Sequence, residues 1–392
     1  MKRRSFMRVV GGGVIVASTA GSLGLSGCSM GMPSEAIQAW NGPGPDASPA
    51  GDVRRWLLSY ALLAPHSHNL QSWLVDLRTP HEITLRCDLT RLLPQTDPLF
   101  RQIMMSHGTF LELLDLAAKE QGLRADITLF PEGAFGPQEL DTRPVARIRL
   151  SPDSGLPKDP LFAAILQRHT NRNGYDLARP LPPKAWSAMA DAANFPKMQF
   201  GYVSDQQADA MNKHREVAKE AWRIELTTPR TIEESMKLLR VGGSEIAQHR
   251  DGISLTDPMV IVLDRLGLFD RSHAPAPDAY ATTSQLKAFN EKLDSTPAFL
   301  WINTEGNDRV TQVNAGRAYA RVQLAATVQG VSMQPLSQAL QEYAEQRQPY
   351  ADIHQMVGAA GQGHTVQMWA RVGYGAPVAP APRRPLSALI QA

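Results

Sequence analysis

The stretch GTFLELLDLAAKEQGL at residues 108–123 recurs, at a constant offset of 208, as GRAYARVQLAATVQGV at residues 316–331. Gly108, Leu116, Ala117, Ala118, Gln121 and Gly122 reappear as Gly316, Leu324, Ala325, Ala326, Gln329 and Gly330. Both copies read as helices and end in a glycine suited to a left-handed cap. The leading glycine and the Ala-Ala pair admit a second helix at close range. A chain that repeats its central helix in this way is expected to fold as two related halves. Chance similarity between two alanine-rich amphipathic helices is the competing reading.

Around these copies, helical and strand patterns mix into an α+β order. DVRRWLLSYALLAP, from Asp52, places Trp56, Leu57, Tyr60, Leu63 and Ala64 at helical spacing before Pro65 stops the pattern. SWLVDL and EITLRCDL read as strands, followed by a helix from about Ser106 to Gln121. DPLFAAILQRHTNRNGYD opens the second half: Asp159 can cap, Pro160 suits the first turn, and Leu161, Phe162, Ile165 and Leu166 form the buried stripe. AFLWINT and TVQMWARVGY are further strand candidates. Residues 51–155 and 156–392 therefore read as the two halves. Residues 205–290 fit neither. They read as an insertion, a lid or a docking surface, with a capping-box signature from Thr231 to Glu234.

The start of the chain speaks to compartment. Arg3 and Arg4 in MKRRSFMRVV stand before an apolar, glycine-rich run that ends near Gly27, the pattern of an export leader of the twin-arginine type. LSGC, at Leu25 to Cys28, resembles a lipobox, so residues 1–27 are expected to be removed and Cys28 to carry acyl chains. Loss of Lys2, Arg3, Arg4 and Arg8 turns the formal charge of +2 into −2, which argues against a nucleic-acid partner. Cys87 alone then remains, within a strand pattern, and burial is expected for it. Residues 28–50, rich in Pro, Gly and Ser, read as a flexible tether. The location implied is the periplasmic or cell-envelope face, with peripheral attachment through Cys28.

Three segments carry chemistry. APHSHNLQSW, from Ala64 to Trp73, follows the first helix; its His66 and His68 suggest a metal, but the sequence offers no third ligand at suitable spacing. In RHTNR the alternating Arg168, Thr170 and Arg172 would point one way on an extended backbone and suit a phosphate. A solvated basic helix end is the other reading. Arg383 and Arg384, in a proline-stiffened APRRPL, could close over the same anion or lie in an exposed tail. No GxSxG elbow or Walker loop occurs.

In this order APHSHNLQSW, RHTNR, GRAYARVQLAATVQG and APRRPL resemble the nitroreductase-like flavin oxidoreductases, and among them the fused-pair, Acg-type FMN-binding proteins. The resemblance covers most of residues 52–392. It implies a nitroreductase-like fold built as an intrachain pseudo-dimer, monomeric, with one FMN per chain between the halves. The implied cofactor-binding residues are Pro65, His66, Ser67, Asn69, Gln71, Arg168, Thr170, Arg172, Arg383 and Arg384. His66 stands where the family pattern has serine, and Ser72 where it has proline.

The function expected is that of an exported FMN-binding oxidoreductase; the alternative is a protein that sequesters or stores FMN without turnover. No catalytic residue is named, because a flavin exchanges hydride and electrons without an acid or base from the protein. No metal is expected. The partner is a small-molecule substrate or a membrane redox partner such as a quinol, since an exported protein meets little nicotinamide nucleotide. Replacing Arg3 and Arg4 together by Lys is expected to hold the precursor in the cytoplasm. Cell fractionation checks this, and normal export of the variant would exclude twin-arginine routing.

Overall fold

Two sheets of one topology accompany the helix that recurs at the 208 offset in the computed structural model, which describes residues 31–361 and 363–391. The leader and Cys28 lie outside the described residues. In chain order the first part holds α1 (Val53–Ala61), β1 (Trp73–Asp76), β2 (Glu82–Cys87), α2 (Arg101–Glu120), β3 (Leu123–Leu129) and β4 (Ala146–Pro152). The second begins with α3 (Pro183–Ala192) and β5 (Met198–Ser204). It continues through α4 (Ala208–Thr227), α5 (Pro229–Lys237), β6 (Leu239–Val241), α6 (Gly242–His249), β7 (Ile253–Leu255), α7 (Pro258–Arg265) and α8 (Tyr280–Asp294). It closes with β8 (Ala298–Glu305), α9 (Arg309–Val328), β9 (Ser332–Pro335), α10 (Arg347–Met356) and β10 (His364–Gly373).

The sheet orders are β1-β2-β4-β3 and β5-β8-β10-β9, every pairing antiparallel. If β5, β8, β9 and β10 are matched in chain order to β1, β2, β3 and β4, the two orders are the same. Residues 77–81 join the first two strands of one sheet, whereas residues 205–297 join those of the other. The mixed α+β order expected from sequence is therefore present, with Cys87 buried on the inner face of β2.

The repeated helices α2 and α9 pack against each other at the centre. A Cβ built at Gly108 would stand 1.9 Å from the Val313 carbonyl oxygen, and one at Gly316 would stand 1.9 Å from that of Met105. Val313 follows Met105 by the same 208 positions, so the contact is reciprocal: each copy's glycine receives the other copy's carbonyl. A glycine inside a helix costs about 1 kcal/mol relative to alanine, which this close packing offsets. Arg101 and Arg309 are related by the same offset. Arg101 donates to the Val366 and Leu340 carbonyls of the second half; Arg309 donates to those of Gly136 and Glu139 in the first. Buried Glu112 adds ion pairs across the seam to Arg317 at 2.8 Å and Arg321 at 2.9 Å.

Local structure departs from the sequence reading at several points. Helix α2 begins at Arg101 rather than near Ser106, because the Asp97 carboxylate accepts from the free amides of Gln102 and Ile103 at 3.1 and 3.0 Å. Residues 160–167 form a 3₁₀ helix, capped by Asp159 as expected. Thr231 and Glu234 form no capping box. Pro229 starts α5, and the Glu234 carboxylate instead accepts from the backbone amides of Gln95 and Thr96, stitching the insertion to the first half.

The largest corrections concern the two ends. Within the segment read as a flexible tether, the described part is packed: Ser34–Ile37 and Gln38–Asn41 form helical turns, with Ala36, Trp40 and Ala47 buried. The C-terminal tail, read with the second half, returns to the first. Val75 donates to the Leu389 carbonyl and Gln391 to that of Val75, both at 2.8 Å, and Leu389 enters the first half's core. Apolar residues in short segments were outweighed in sequence by their Pro and Gly neighbours. No helix among the described residues is long and apolar enough to cross a membrane.

Gly108→Ala or Gly316→Ala is expected to destabilise the protein by about 1–3 kcal/mol or more, since the added methyl meets backbone that cannot rotate away. Gly44→Ala, where nothing lies within 4 Å, is expected to be near neutral. Urea unfolding of the three variants checks the contrast.

Candidate functional site

The loop after α1 is held in an unusual backbone. His68, Asn69 and Gln71 take φ values of 49°, 53° and 54°, three left-handed non-glycine residues within four positions. Contacts from distant parts of the chain hold this shape. Gly252 of the insertion donates to the Asn69 carbonyl at 3.2 Å, Gln71 Nε2 donates to the Arg250 carbonyl at 2.9 Å, and Asn69 Nδ2 donates to the Pro382 carbonyl at 3.1 Å.

His66 belongs to this internal framework. Its Nδ1 donates to the Ser67 carbonyl at 2.8 Å and its Nε2 accepts from the Ser72 amide at 3.1 Å. Both partners require the neutral tautomer, and burial pulls the ring down to about 3. His66 thus borders the cavity without a free nitrogen to offer a ligand. Gln71, fully buried, and Arg384 stand behind the loop: the Arg384 amide donates to Gln71 Oε1 at 2.8 Å, and neither side chain lines the cavity.

The cavity in front of the loop measures about 320 Å³, within the range of small-molecule sites. Pro65, His66, Ser67 and Asn69 form one wall, with His68 between them. Arg168, Thr170, Arg172 and Arg383 line it too, brought together across more than two hundred residues. The insertion supplies Trp222, Glu225, Leu226, Ile232 and Ser235, and His68 Nε2 lies 3.3 Å from Ser235 Oγ. Among the described residues no group of three His, Cys, Asp or Glu side chains is placed to hold a metal.

The arginines do different work. Arg168 Nη2 and Arg383 Nη2 both donate to the Leu63 carbonyl at 3.0 Å, so the two guanidiniums converge on the end of the first helix. Arg168 Nη1 reaches Gln323 Oε1 at 3.0 Å, and Arg383 Nη1 reaches Asn69 Oδ1 at 2.9 Å. The Nε of each is buried with no partner among the described residues. Arg172 faces the cavity and has no hydrogen-bond or ion-pair partner among the described residues.

No carboxylate among the described residues offsets this charge. Among the described residues Glu225 is the only acidic side chain lining the cavity, and its charged neighbour is Glu234 rather than an arginine. Desolvation draws Arg168 down to about 10, and the Arg168 charge adds to the lowering of Arg383. Buried like charges without a counter-ion are costly, and an anion at the free Nε groups and Arg172 would relieve them.

Several cavity residues escaped the sequence reading. Tyr319, whose buried hydroxyl has no partner, has Arg168 and Arg172 as charged neighbours. It occupies the repeat position of Leu111, so a tyrosine replacing a core leucine was the available signal. Gln367 sits at a register slip between Val366 and Met368 in β10; its Nε2 is held by Thr304 Oγ1 and Asn307 Oδ1, each at 3.0 Å, leaving a buried Oε1 unpaired. His169, with an unpartnered Nδ1, and Trp40 complete the cationic end. For these two no sequence signal existed.

Inorganic phosphate is expected to raise the melting temperature with the logarithm of its concentration above Kd, adding about 2.7 kcal/mol of stability at a hundred times its Kd. Arg172→Ala is expected to leave the phosphate-free melting temperature nearly unchanged, because that side chain bonds no protein group, while removing most of the phosphate gain. Thermal denaturation with and without phosphate measures both.

Comparison with known proteins agrees with this picture at the level of family. A Mycobacterium tuberculosis protein named "Putative NAD(P)H nitroreductase" is 28% identical over 363 residues, covering 90% of this chain and 96% of the relative. A second protein of that organism, named as uncharacterized, is 24% identical over 360 residues, covering 84% of this chain and 90% of the relative. Among solved structures, an FMN-dependent nitroreductase from Mycobacterium smegmatis in complex with NADPH is 15% identical, with a TM-score of 0.35; the match covers 57% of this chain and 94% of that one. A Bacteroides fragilis nitroreductase with bound FMN is 13% identical with a TM-score of 0.31, covering 56% and 90%. The Nitroreductase family model matches residues 165–374, more than half of the 392-residue sequence, and the chain belongs to the Nitroreductase family.

Proposed function

We propose that this chain is an FMN-binding oxidoreductase holding one flavin between its two halves, which form an intrachain pseudo-dimer with a single retained site. The observation that carries the reading is the Arg168–Arg383 pair, buried, without a carboxylate, and with both Nε groups unpartnered beside an unpaired Arg172. A phosphomonoester dianion matches that donor set. In this reading Arg168, Thr170, Arg172 and Arg383 hold the phosphate, and Tyr319 supplies a hydroxyl. Pro65, Ser67, Asn69 and the Gln367 amide oxygen border the ring. His66, Gln71 and Arg384 shape the loop instead of touching the ligand. Bound flavin supplies hydride and electron transfer; the protein orients ring and substrate and limits water.

The pseudo-dimer reading is supported by the identical sheet orders and by the reciprocal Gly108 and Gly316 contacts. One half supplies the loop and the other the RHTNR arginines, so the partner site would lack both. The relatives' names support reduction or oxidation of a small molecule. For the electron donor we propose a quinol or another membrane redox partner, because the twin-arginine leader and Cys28 would set this chain on an envelope face away from nicotinamide nucleotides. Only four residues separate Cys28 from Pro33, which precedes the helical turn Ser34–Ile37.

Storage of FMN without turnover is the second reading, favoured by the insertion's bonds across the loop at Asn69 and Gln71. Flavin content of the isolated protein tests both, with one FMN per chain expected. Arg172→Ala is expected to weaken FMN by ~2–5 kcal/mol, roughly thirtyfold or more in Kd. A colourless protein that takes up no FMN refutes the cofactor assignment. With flavin bound, its reduction by a soluble quinol, which is oxidised to the quinone, distinguishes an enzyme from a store.

A further inference from the structure

Trp40 lies in the segment that composition marks as a tether, yet it is 6% exposed and forms part of the cavity wall. Its indole Nε1 donates to the Ala381 carbonyl at 2.8 Å. Its ring lies 4.8 Å from the His169 ring, with the Arg383 guanidinium 4.9 Å and the Arg168 guanidinium 5.5 Å from its centroid. One aromatic ring thus serves two guanidiniums that no carboxylate among the described residues neutralises. A ring quadrupole stabilises desolvated cations of this kind and keeps water from them.

The surrounding backbone binds the same residues again. The Arg383 amide donates to the Ala36 carbonyl at 2.8 Å, and Ala36 is fully buried. The segment's own structure is slight: one four-residue helical turn and one four-residue 3₁₀ turn. Short elements held by a few anchors open locally at a fraction of the cost of global unfolding.

We infer that Trp40 completes the phosphomonoester subsite at the arginine-lined end of the cavity, and that Pro33–Asn41 is a strap whose opening sets how fast the ligand leaves. With the strap closed, Trp40 excludes water from Arg168 and Arg383, which strengthens their bonds to an anion. An anion in turn favours the closed strap, because linkage between two sites is reciprocal. The inference rests on the reading that an anionic ligand occupies this end, and its test separates the two.

In the full chain loaded with FMN, release after dilution is followed by the rise of free-flavin fluorescence. Trp40→Ala is expected to release FMN roughly tenfold faster or more, and Trp40→Phe, which keeps a ring, to stay close to the unsubstituted protein. In the unsubstituted protein, inorganic phosphate and FMN are expected to slow amide hydrogen exchange at Ala36 to Trp40, whereas riboflavin, lacking phosphate, is not. Unchanged release in Trp40→Ala, or exchange in the strap indifferent to phosphate, overturns the inference even if FMN binds. A protein that takes up no FMN overturns the cofactor assignment, and the phosphate arm still decides the strap.

Discussion

Two helices cross at Gly108 and Gly316 so closely that neither position has room for a Cβ. The rest of the molecule is arranged around that seam. The crossing sets the two sheets on either side, and Arg101 and Arg309 each bridge from a helix start into the opposite half. Because each carbonyl meets the other copy's glycine, a change at one crossing point is met by the same geometry at the other, which is how a two-fold interface behaves. A cavity placed along this seam inherits walls from both halves.

Charge decides what such a cavity can accept. Arg168 and Arg383 are tied by their Nη groups to the Leu63 carbonyl, so they cannot swing out to solvent. Their Nε atoms stay buried and unpartnered. Proteins tolerate unpaired buried charge where a ligand removes the penalty, and the same arginines that hold the first helix's end can therefore recognise an anion. Thr170, Tyr319 and Trp40 extend this end with a hydroxyl, a second hydroxyl and an aromatic face. The insertion contributes apolar surface and one buried carboxyl, which makes the cavity chemically unequal at its two ends.

Much of this was legible in the chain. The helix repeat pointed to two halves, strand patterns at SWLVDL, EITLRCDL, AFLWINT and TVQMWARVGY marked four strands of the sheets, and motif spacing singled out Arg168, Thr170, Arg172 and Arg383. For other residues the sequence did not show the side-chain partners they take in the fold. His66 looked free to donate because its sequence neighbours do not reveal that Ser67 and Ser72 use both ring nitrogens. Gln71 and Arg384 pair with each other behind the loop, a contact across more than three hundred positions. Trp40 was hidden by Pro and Gly neighbours that weaken any local pattern, and Gln367 by a register slip that no periodicity shows.

By itself the sequence determined several of the helices and strands, the doubling of the central helix and the residue types able to hold an anion, because periodicity and glycine placement act over short stretches of chain. Only the tertiary structure decided which of those residues face a common cavity and which support it from behind. The reason is physical: orientation at the site is set by hydrogen bonds from the insertion and the C-terminal tail to a left-handed loop, and by the packing of an N-terminal tryptophan on two buried guanidiniums. None of these couplings lies between residues that are near in sequence.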